Sequence, residues 1–135
     1  MTPGEQTLES WFEENQDEIT QMQAFSVSDM PDDPGRLALD LSCSARDGAR
    51  AGFMLMDAEA FVLKAHAAAT MEIRNTYPGW TSDERKILAK SDAVYLQVVR
   101  IRDTLSVIVS ALKTRCYVGM NSRRSMPMPS GAYET

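Results

Sequence analysis

A heptad repeat of apolar side chains between residues 87 and 112 constrains the fold of this 135-residue chain most strongly. Its members, at alternating steps of four and three, are Ile87, Ser91, Val94, Val98, Ile101, Leu105, Ile108 and Leu112. This spacing keeps one face of an α-helix apolar over more than three repeats. We expect one helix from residue 82 to about residue 122, roughly 60 Å long at 1.5 Å per residue.

A second long helix is predicted upstream of this repeat. Asp33 is a suitable helix cap and Pro34 fits the first helical position. The helical pattern then runs to about Thr76, with a seam of mostly small side chains: Leu37, Leu41, Ser44, Gly48, Ala51, Leu55, Ala58, Val62, Ala65 and Ala69. Small side chains let another helix approach closely. Glycine costs about 1 kcal/mol relative to alanine inside a helix, so a kink near residues 46–52 is the alternative to a continuous helix.

A shorter helix is predicted at the start of the chain. Thr2 and Glu5 form a capping box around Pro3, which fits the first helical position. Apolar side chains then follow at helical spacing: Leu8, Phe12, Ile19 and Met22, with Trp11 and Phe25 beside them. Prolines and a glycine within residues 29–35 predict a turn or hinge after this helix.

The two long helices are separated by a break. Tyr77-Pro78-Gly79 interrupts the helical pattern, and Thr81-Ser82-Asp83-Glu84 supplies a second capping box. Because two long helices joined by a short turn form an antiparallel hairpin, we predict an all-α fold: a long hairpin with an additional N-terminal helix. The expected organisation is an acidic N-terminal helix and hinge (1–35), a helical hairpin domain (36–124) and a disordered tail (125–135).

The hairpin is also predicted to self-associate as a homo-oligomer. The third helix is apolar over a broad face, whereas the second offers only a narrow seam, and large exposed apolar patches are rare on monomers. The expected oligomerisation residues are Val94, Val98, Ile101, Leu105, Ile108 and Leu112. For Met54 and Met56, helical spacing favours the core, with an adaptable interface as the alternative.

The charge is divided by position along the chain. Residues 1–35 hold nine acidic side chains and no Lys or Arg, whereas residues 36–135 hold fourteen Lys or Arg and ten acids. The net charge of −5 therefore combines an acidic arm with a basic body. Such an asymmetry points to a polyanion as the partner of the basic part. The arm would compete for that site or bind a second, basic partner.

The cations that would meet a nucleic acid fall into two groups. They are Lys64, His66 and Arg74, late in the second helix, and Lys113, Arg115, Arg123 and Arg124, late in the third. Clustered cations attract a phosphate backbone through counterion release. For the second group, stabilisation of the helix C-terminus by cations is an equally good explanation. Tyr77, Trp80 and Tyr117 are the aromatic residues near these cations.

Catalytic and metal-binding patterns are missing from the sequence. His66 is the single histidine, and neither a nucleophile elbow nor a phosphate-binding glycine loop occurs. We therefore predict a non-enzymatic chain without metal or cofactor. Cys43 and Cys116 lack metal-ligand or redox spacing and are expected to be reduced thiols of a cytosolic protein. Neither a secretory signal nor an apolar run long enough to span a membrane is seen.

Three segments resemble the phage recombination mediator family (UvsY-like). Leu63-Lys64-Ala65-His66 is similar to a Leu-Lys-Ala-basic segment late in the long early helix of that family. Residues 82–88 resemble the acidic-then-basic start of its following helix, and residues 105–124 resemble its terminal apolar helix ending in Lys or Arg. The similarity covers roughly residues 36–124 and depends on the order and spacing of these segments.

The resemblance implies an all-helical protein that forms a ring-like oligomer. It implies binding of single-stranded DNA and loading of a phage recombinase onto DNA covered by single-strand-binding protein, in the host cytoplasm. The DNA-binding basic pair of the family corresponds to Lys64 and His66, and His66 departs from it because a neutral imidazole contributes little at a phosphate. Two alternatives stay open: a helical oligomeric structural or scaffolding protein without nucleic-acid binding, and a regulator whose acidic arm mimics nucleic acid.

Overall fold

The structure is a computed structural model that describes residues 7–125. Within this range every regular element is an α-helix: α1 (Leu8–Ser26), α2 (Pro34–Thr76), α3 (Ser82–Ala89) and α4 (Ala93–Ser125). Helices α2 and α4 pack against each other as an antiparallel hairpin, α1 packs on both, and α3 packs on α2. The predicted all-α hairpin with an additional N-terminal helix is therefore confirmed.

Helix α2 is continuous over 43 residues. The Asp33 carboxylate accepts a hydrogen bond from the Arg36 backbone N–H at 3.0 Å, as expected of a helix cap. The alternative of a kink near residues 46–52 is not observed. A Cβ placed on Gly48 would lie 3.7 Å from Leu112 Cβ. The small seam therefore allows α4 to pack closely against α2.

The predicted single helix from residue 82 to about residue 122 is wrong, because the chain breaks at Lys90–Asp92. Asp92 caps α4: its carboxylate accepts from the Tyr95 backbone N–H at 3.0 Å. Ser91 donates its hydroxyl to the Leu88 carbonyl at 2.7 Å. Ser and Asp side chains compete in this way for backbone groups and favour a helix boundary. Because of the break, Ile87 is 72% exposed and does not continue the buried seam.

The heptad repeat forms the core of the single chain. Five of the six predicted oligomerisation residues are at most 9% exposed: Val98, Ile101, Leu105, Ile108 and Leu112. The last four of these residues pack with Ala51, Met54 and Ala58 of α2 and with apolar residues of α1. Their prediction as an oligomerisation seam is wrong, since α1 and α2 already cover them. The sixth residue, Val94, is 53% exposed at the start of α4.

Helix α1 contributes to the same core. Trp11, Ile19 and Met22 are buried, and the Trp11 ring packs against the Phe61 ring at a centroid distance of 5.7 Å. Thr7 caps α1 by accepting from the Ser10 backbone N–H. The predicted capping box at residues 2–5 lies outside the described residues. The predicted disordered tail also lies outside them, apart from Ser125, which is the last residue of α4.

Candidate nucleic-acid interface

Arg115 is not available to a nucleic acid, which corrects the sequence-based assignment. Its guanidinium is buried and binds both carboxylate oxygens of Asp40, with Nε at 2.9 Å from Oδ1 and Nη2 at 2.6 Å from Oδ2. The same group donates to the carbonyls of Ser28 and Asp29 and lies over the Phe25 ring. The heptad continues from Leu112 to position 115, so the sequence did carry a signal for burial here.

Lys64 and His66 lie on different sides of α2. Residues two apart in a helix do not face each other. His66 is half-buried, and its ring packs against the Tyr95 ring of α4 at 5.6 Å. Lys64 is exposed, with its ammonium 5.9 Å from the centre of the Phe61 ring. The structure therefore does not bring this predicted basic pair onto one surface.

The other predicted cations of α4 lie toward its C-terminal end. We call Lys113, Arg123 and Arg124 the tail-end cations; all three are exposed. Arg74 lies in the last turn of α2, at the other end of the antiparallel hairpin. Helix α4 has 33 residues and is about 50 Å long at 1.5 Å per residue. In one copy of the chain, the predicted cations therefore occupy two surfaces that are far apart.

The turn between α2 and α3 carries an exposed pair of stacked aromatic rings. The centroids of Tyr77 and Trp80 are 4.4 Å apart, and their planes differ by 23°. Tyr77 is 42% and Trp80 38% exposed, so neither ring serves as a core residue. The stacking of the two rings depends on the path of the turn and could not be predicted from the sequence.

Backbone hydrogen bonds hold this turn in place. The Tyr77 N–H donates to the Ile73 carbonyl at 2.7 Å, and the Trp80 N–H donates to the Tyr77 carbonyl at 3.1 Å. The predicted capping box at Thr81 and Glu84 is confirmed, with both reciprocal hydrogen bonds present. Because α2 and α3 fix the two sides of the turn, the stacked rings sit on an ordered platform.

Cations flank the stacked rings on both sides in sequence. Arg74 precedes them in α2, and Arg85 and Lys86 follow in α3. We call Arg74, Tyr77, Trp80, Arg85 and Lys86 the turn surface. Between residues 72 and 92 four acids balance four cations, although the Glu84 and Asp92 carboxylates are engaged in helix capping. The turn surface therefore offers aromatic stacking with little net charge.

The described residues include two thiols and no cluster of metal-binding side chains. Among residues 7–125, no group of three or more His, Cys, Asp or Glu side chains could hold a metal ion. Cys43 and Cys116 are free thiols. None of the helices in this range combines the length and apolar character needed to cross a bilayer.

Comparison with known proteins gives no further assignment. No protein-family model matches the chain, and neither a curated protein nor a solved structure matches it significantly.

Proposed function

We propose that this chain is a non-catalytic single-stranded-DNA-binding protein of the recombination-mediator type. The observation that supports the proposal most is the exposed stack of Tyr77 and Trp80, with cations before and after it in the sequence. Aromatic side chains on which bases stack are a common device for binding single strands without reading sequence. The turn surface is accordingly the proposed contact with DNA.

Single strands fit this surface better than a duplex does. The faces of paired bases are stacked inside a duplex, so an aromatic platform reaches them only where the strand is unpaired. Duplex binding without base contacts depends on phosphate neutralisation, and the turn surface supplies little net positive charge. Stacking is therefore expected to supply most of the affinity.

The wider biological role is part of the proposal and derives from the family resemblance. We propose a recombinase and a single-strand-binding protein as protein partners, homo-oligomerisation, and action in the cytoplasm, in the host cytoplasm if the chain is encoded by a phage. The tail-end cations Lys113, Arg123 and Arg124 are proposed as secondary phosphate contacts. Lys64 remains a candidate because it is exposed, whereas His66 packs against Tyr95.

Fluorescence anisotropy with a short labelled oligodeoxythymidine at low salt tests the proposal. Trp80→Ala should weaken binding by about 1–3 kcal/mol per base stacked on the ring, which is roughly 5- to 150-fold. Tyr117→Ala is the matched control, since Tyr117 is an exposed aromatic residue (67%) near the other end of the hairpin. Equal affinity of wild type and Trp80→Ala would exclude the turn surface as the DNA contact.

A helical structural protein without nucleic-acid binding is the second candidate. It is favoured by the separation of the cations onto two surfaces and by the pairing of Arg115 with Asp40. Failure of the wild-type chain to bind the oligonucleotide at low salt would support this candidate. Binding by the wild type and by Tyr117→Ala, together with loss of binding in Trp80→Ala, would support DNA recognition at the turn.

A further inference from the structure

Helix α2 carries a second apolar face that no part of the described chain covers. Its members are exposed and lie on the side of α2 opposite the buried seam. We call this face the outer stripe, and its residues are Leu39, Ala49, Phe53, Met56, Ala60, Leu63, Ala67 and Met71. The large side chains among them are 64–73% exposed. Met54 and Met56 were both predicted for the core; Met54 is buried at 0% exposure, whereas Met56 is 65% exposed.

The outer stripe has the spacing of a helix-pairing seam. Steps of three and four residues from Leu39 to Thr70 give one continuous heptad register, in which Ser42, Arg46 and Thr70 are the polar members. Helix α2 is therefore apolar on two opposite faces. One face packs on α4, and the other fits a partner helix of the same length.

We propose that the outer stripe pairs with the outer stripe of a second copy of this chain, in antiparallel orientation. The heptad is self-complementary when the two-fold axis passes between Met54 and Leu55. From the centre outward, the layers are Phe53 with Met56, Ala49 with Ala60, Arg46 with Leu63, Ser42 with Ala67, and Leu39 with Thr70. The central layers place a thioether against an aromatic ring, which is a favourable contact, and the alanine layers allow close approach.

The charges beside the stripe favour the antiparallel orientation. A parallel pair would place Arg46 directly against Arg46 of the second copy, whereas the antiparallel pair places it against Leu63. Arg50 and Asp57 do not decide the orientation, because both are engaged with α1: Arg50 binds Glu18 and Asn15, and Asp57 accepts a hydrogen bond from the Trp11 indole N–H. Arg46 also lies one residue out of register from Lys64 of the second copy. These two positive charges repel each other, so removal of the Arg46 charge should strengthen dimerisation.

The available area suits a reversible dimer. From Leu39 to Met71 the stripe is about 48 Å long, and a helix is about 10 Å wide. This gives about 500 Å² per copy and about 1,000 Å² in the pair, which reaches the lower bound for a specific interface. An isologous contact of this kind closes on itself as a two-fold dimer, in contrast to the ring expected from the family resemblance.

The antiparallel pair would also bring the turn surface of one copy and the tail-end cations of the other to the same end of the dimer. In this register Arg74 of one copy lies beside the start of α2 of the second copy, where Arg36 is exposed. The tail-end cations of the second copy lie at the same end, because α4 runs antiparallel to α2. Each end of the dimer then carries one turn surface and one set of tail-end cations. This consequence depends on the proposed DNA-binding function, whereas the dimer itself does not.

Sedimentation equilibrium of the full chain without nucleic acid tests the dimer. The wild type should show a concentration-dependent monomer–dimer equilibrium at micromolar concentration. Phe53→Glu should weaken dimerisation by more than about a hundredfold, since each dimer contains two Phe53–Met56 layers. Arg46→Leu should strengthen dimerisation by about tenfold or more, because it replaces a charged seam residue with an apolar one.

Val107→Glu is the matched control, since Val107 is equally exposed (67%) but lies on α4. It should leave the equilibrium unchanged, and far-ultraviolet circular dichroism should show the same helix content for all variants. A wild-type chain that stays monomeric, or an Arg46→Leu chain no tighter than wild type, would overturn the proposal. Oligomers that persist in Phe53→Glu would instead indicate a different interface. Retained dimerisation without DNA binding would refute only the proposed function.

Discussion

Arg115 of α4 and Asp40 of α2 form a buried ion pair, with Nη2 of the guanidinium 2.6 Å from Oδ2 of the carboxylate. Their side chains are 5% and 7% exposed. The same guanidinium binds backbone carbonyls of the segment that follows α1. One side chain therefore ties α1, α2 and α4 together at one end of the hairpin, and its charge is satisfied within the chain.

Replacement of Arg115 should affect stability and not DNA recognition. Arg115→Ala leaves the buried Asp40 carboxylate without its ion-pair partner and with the Ser44 hydroxyl as its remaining side-chain donor, which costs about 3–5 kcal/mol. Urea unfolding followed by circular dichroism measures this loss. Arg124→Ala is the control: Arg124 is exposed in the last turn of α4, and surface changes of this kind usually stay within about 0.5 kcal/mol. Equal stability of the two variants would contradict a structural role for Arg115.

Binding of single-stranded DNA should depend only moderately on salt. The turn surface offers at most three cations to phosphates, and a single strand contributes a slope of about −0.7 per neutralised phosphate. A logarithmic slope no steeper than about −2 is therefore expected. Anisotropy titrations over a range of sodium chloride concentrations provide the measurement. A much steeper slope would show that the tail-end cations or other residues carry most of the contact.

Charge reversal should discriminate between the turn surface and the middle of the hairpin. Lys86→Glu places a negative charge in α3, just after the turn that carries the stacked rings, and should weaken DNA binding by about tenfold at low salt, in line with the loss of one phosphate contact. Arg100→Glu changes the charge by the same amount at an exposed position of α4. If both variants lose affinity equally, net charge and not the turn surface determines binding.

Two glycines should respond differently to alanine. A Cβ at Gly52 would meet no atom within 4 Å, so Gly52→Ala should stabilise the chain by up to about 1 kcal/mol through helix propensity. A Cβ at Gly119 would lie 2.8 Å from Leu41 Cδ2, so Leu41 must move and Gly119→Ala should gain less. Thermal unfolding of the two variants gives the comparison, and a larger gain at Gly119 would contradict the packing of α2 against α4.

Asp92 should contribute to stability as the cap of α4. Asp92→Ala removes the acceptor of the Tyr95 N–H and should cost about 1 kcal/mol. Asp83→Ala serves as the control, because Asp83 lies in the first turn of α3, where Thr81 provides the cap. Urea midpoints that fall equally for both variants would argue against a helix boundary at Asp92.

The sequence predicted the features that depend on local chemistry and periodicity. The cap at Asp33 and the small-residue seam predicted the extent of α2. The small-residue seam of α2 and the apolar seam of α4 predicted the pairing of the two helices. The break at Lys90–Asp92 was missed, although Ser91 and Asp92 are strong capping residues, because the heptad spacing passes through them unchanged. The heptad spacing predicted a continuous helix and the capping residues predicted a boundary, and the structure has the boundary.

Features that depend on which face meets which neighbour could not be predicted. Periodicity shows that a face is apolar but does not identify what covers it, so a core seam was interpreted as an oligomer interface. The same uncertainty assigned both Met54 and Met56 to the core, whereas only Met54 is buried. Arg115 was assigned to DNA because Asp40, its partner, is distant in sequence, and only the antiparallel register brings the two together.

Tryptophan fluorescence during titration with single-stranded DNA tests the central claim most directly. Trp80 is 38% exposed on the turn surface, whereas Trp11 is buried at 4% and cannot meet a base. We predict saturable quenching in the wild type and its loss in Trp80→Phe, with anisotropy of a labelled oligonucleotide confirming that the wild type binds. Binding detected by anisotropy without any change in Trp80 fluorescence would contradict stacking at the turn.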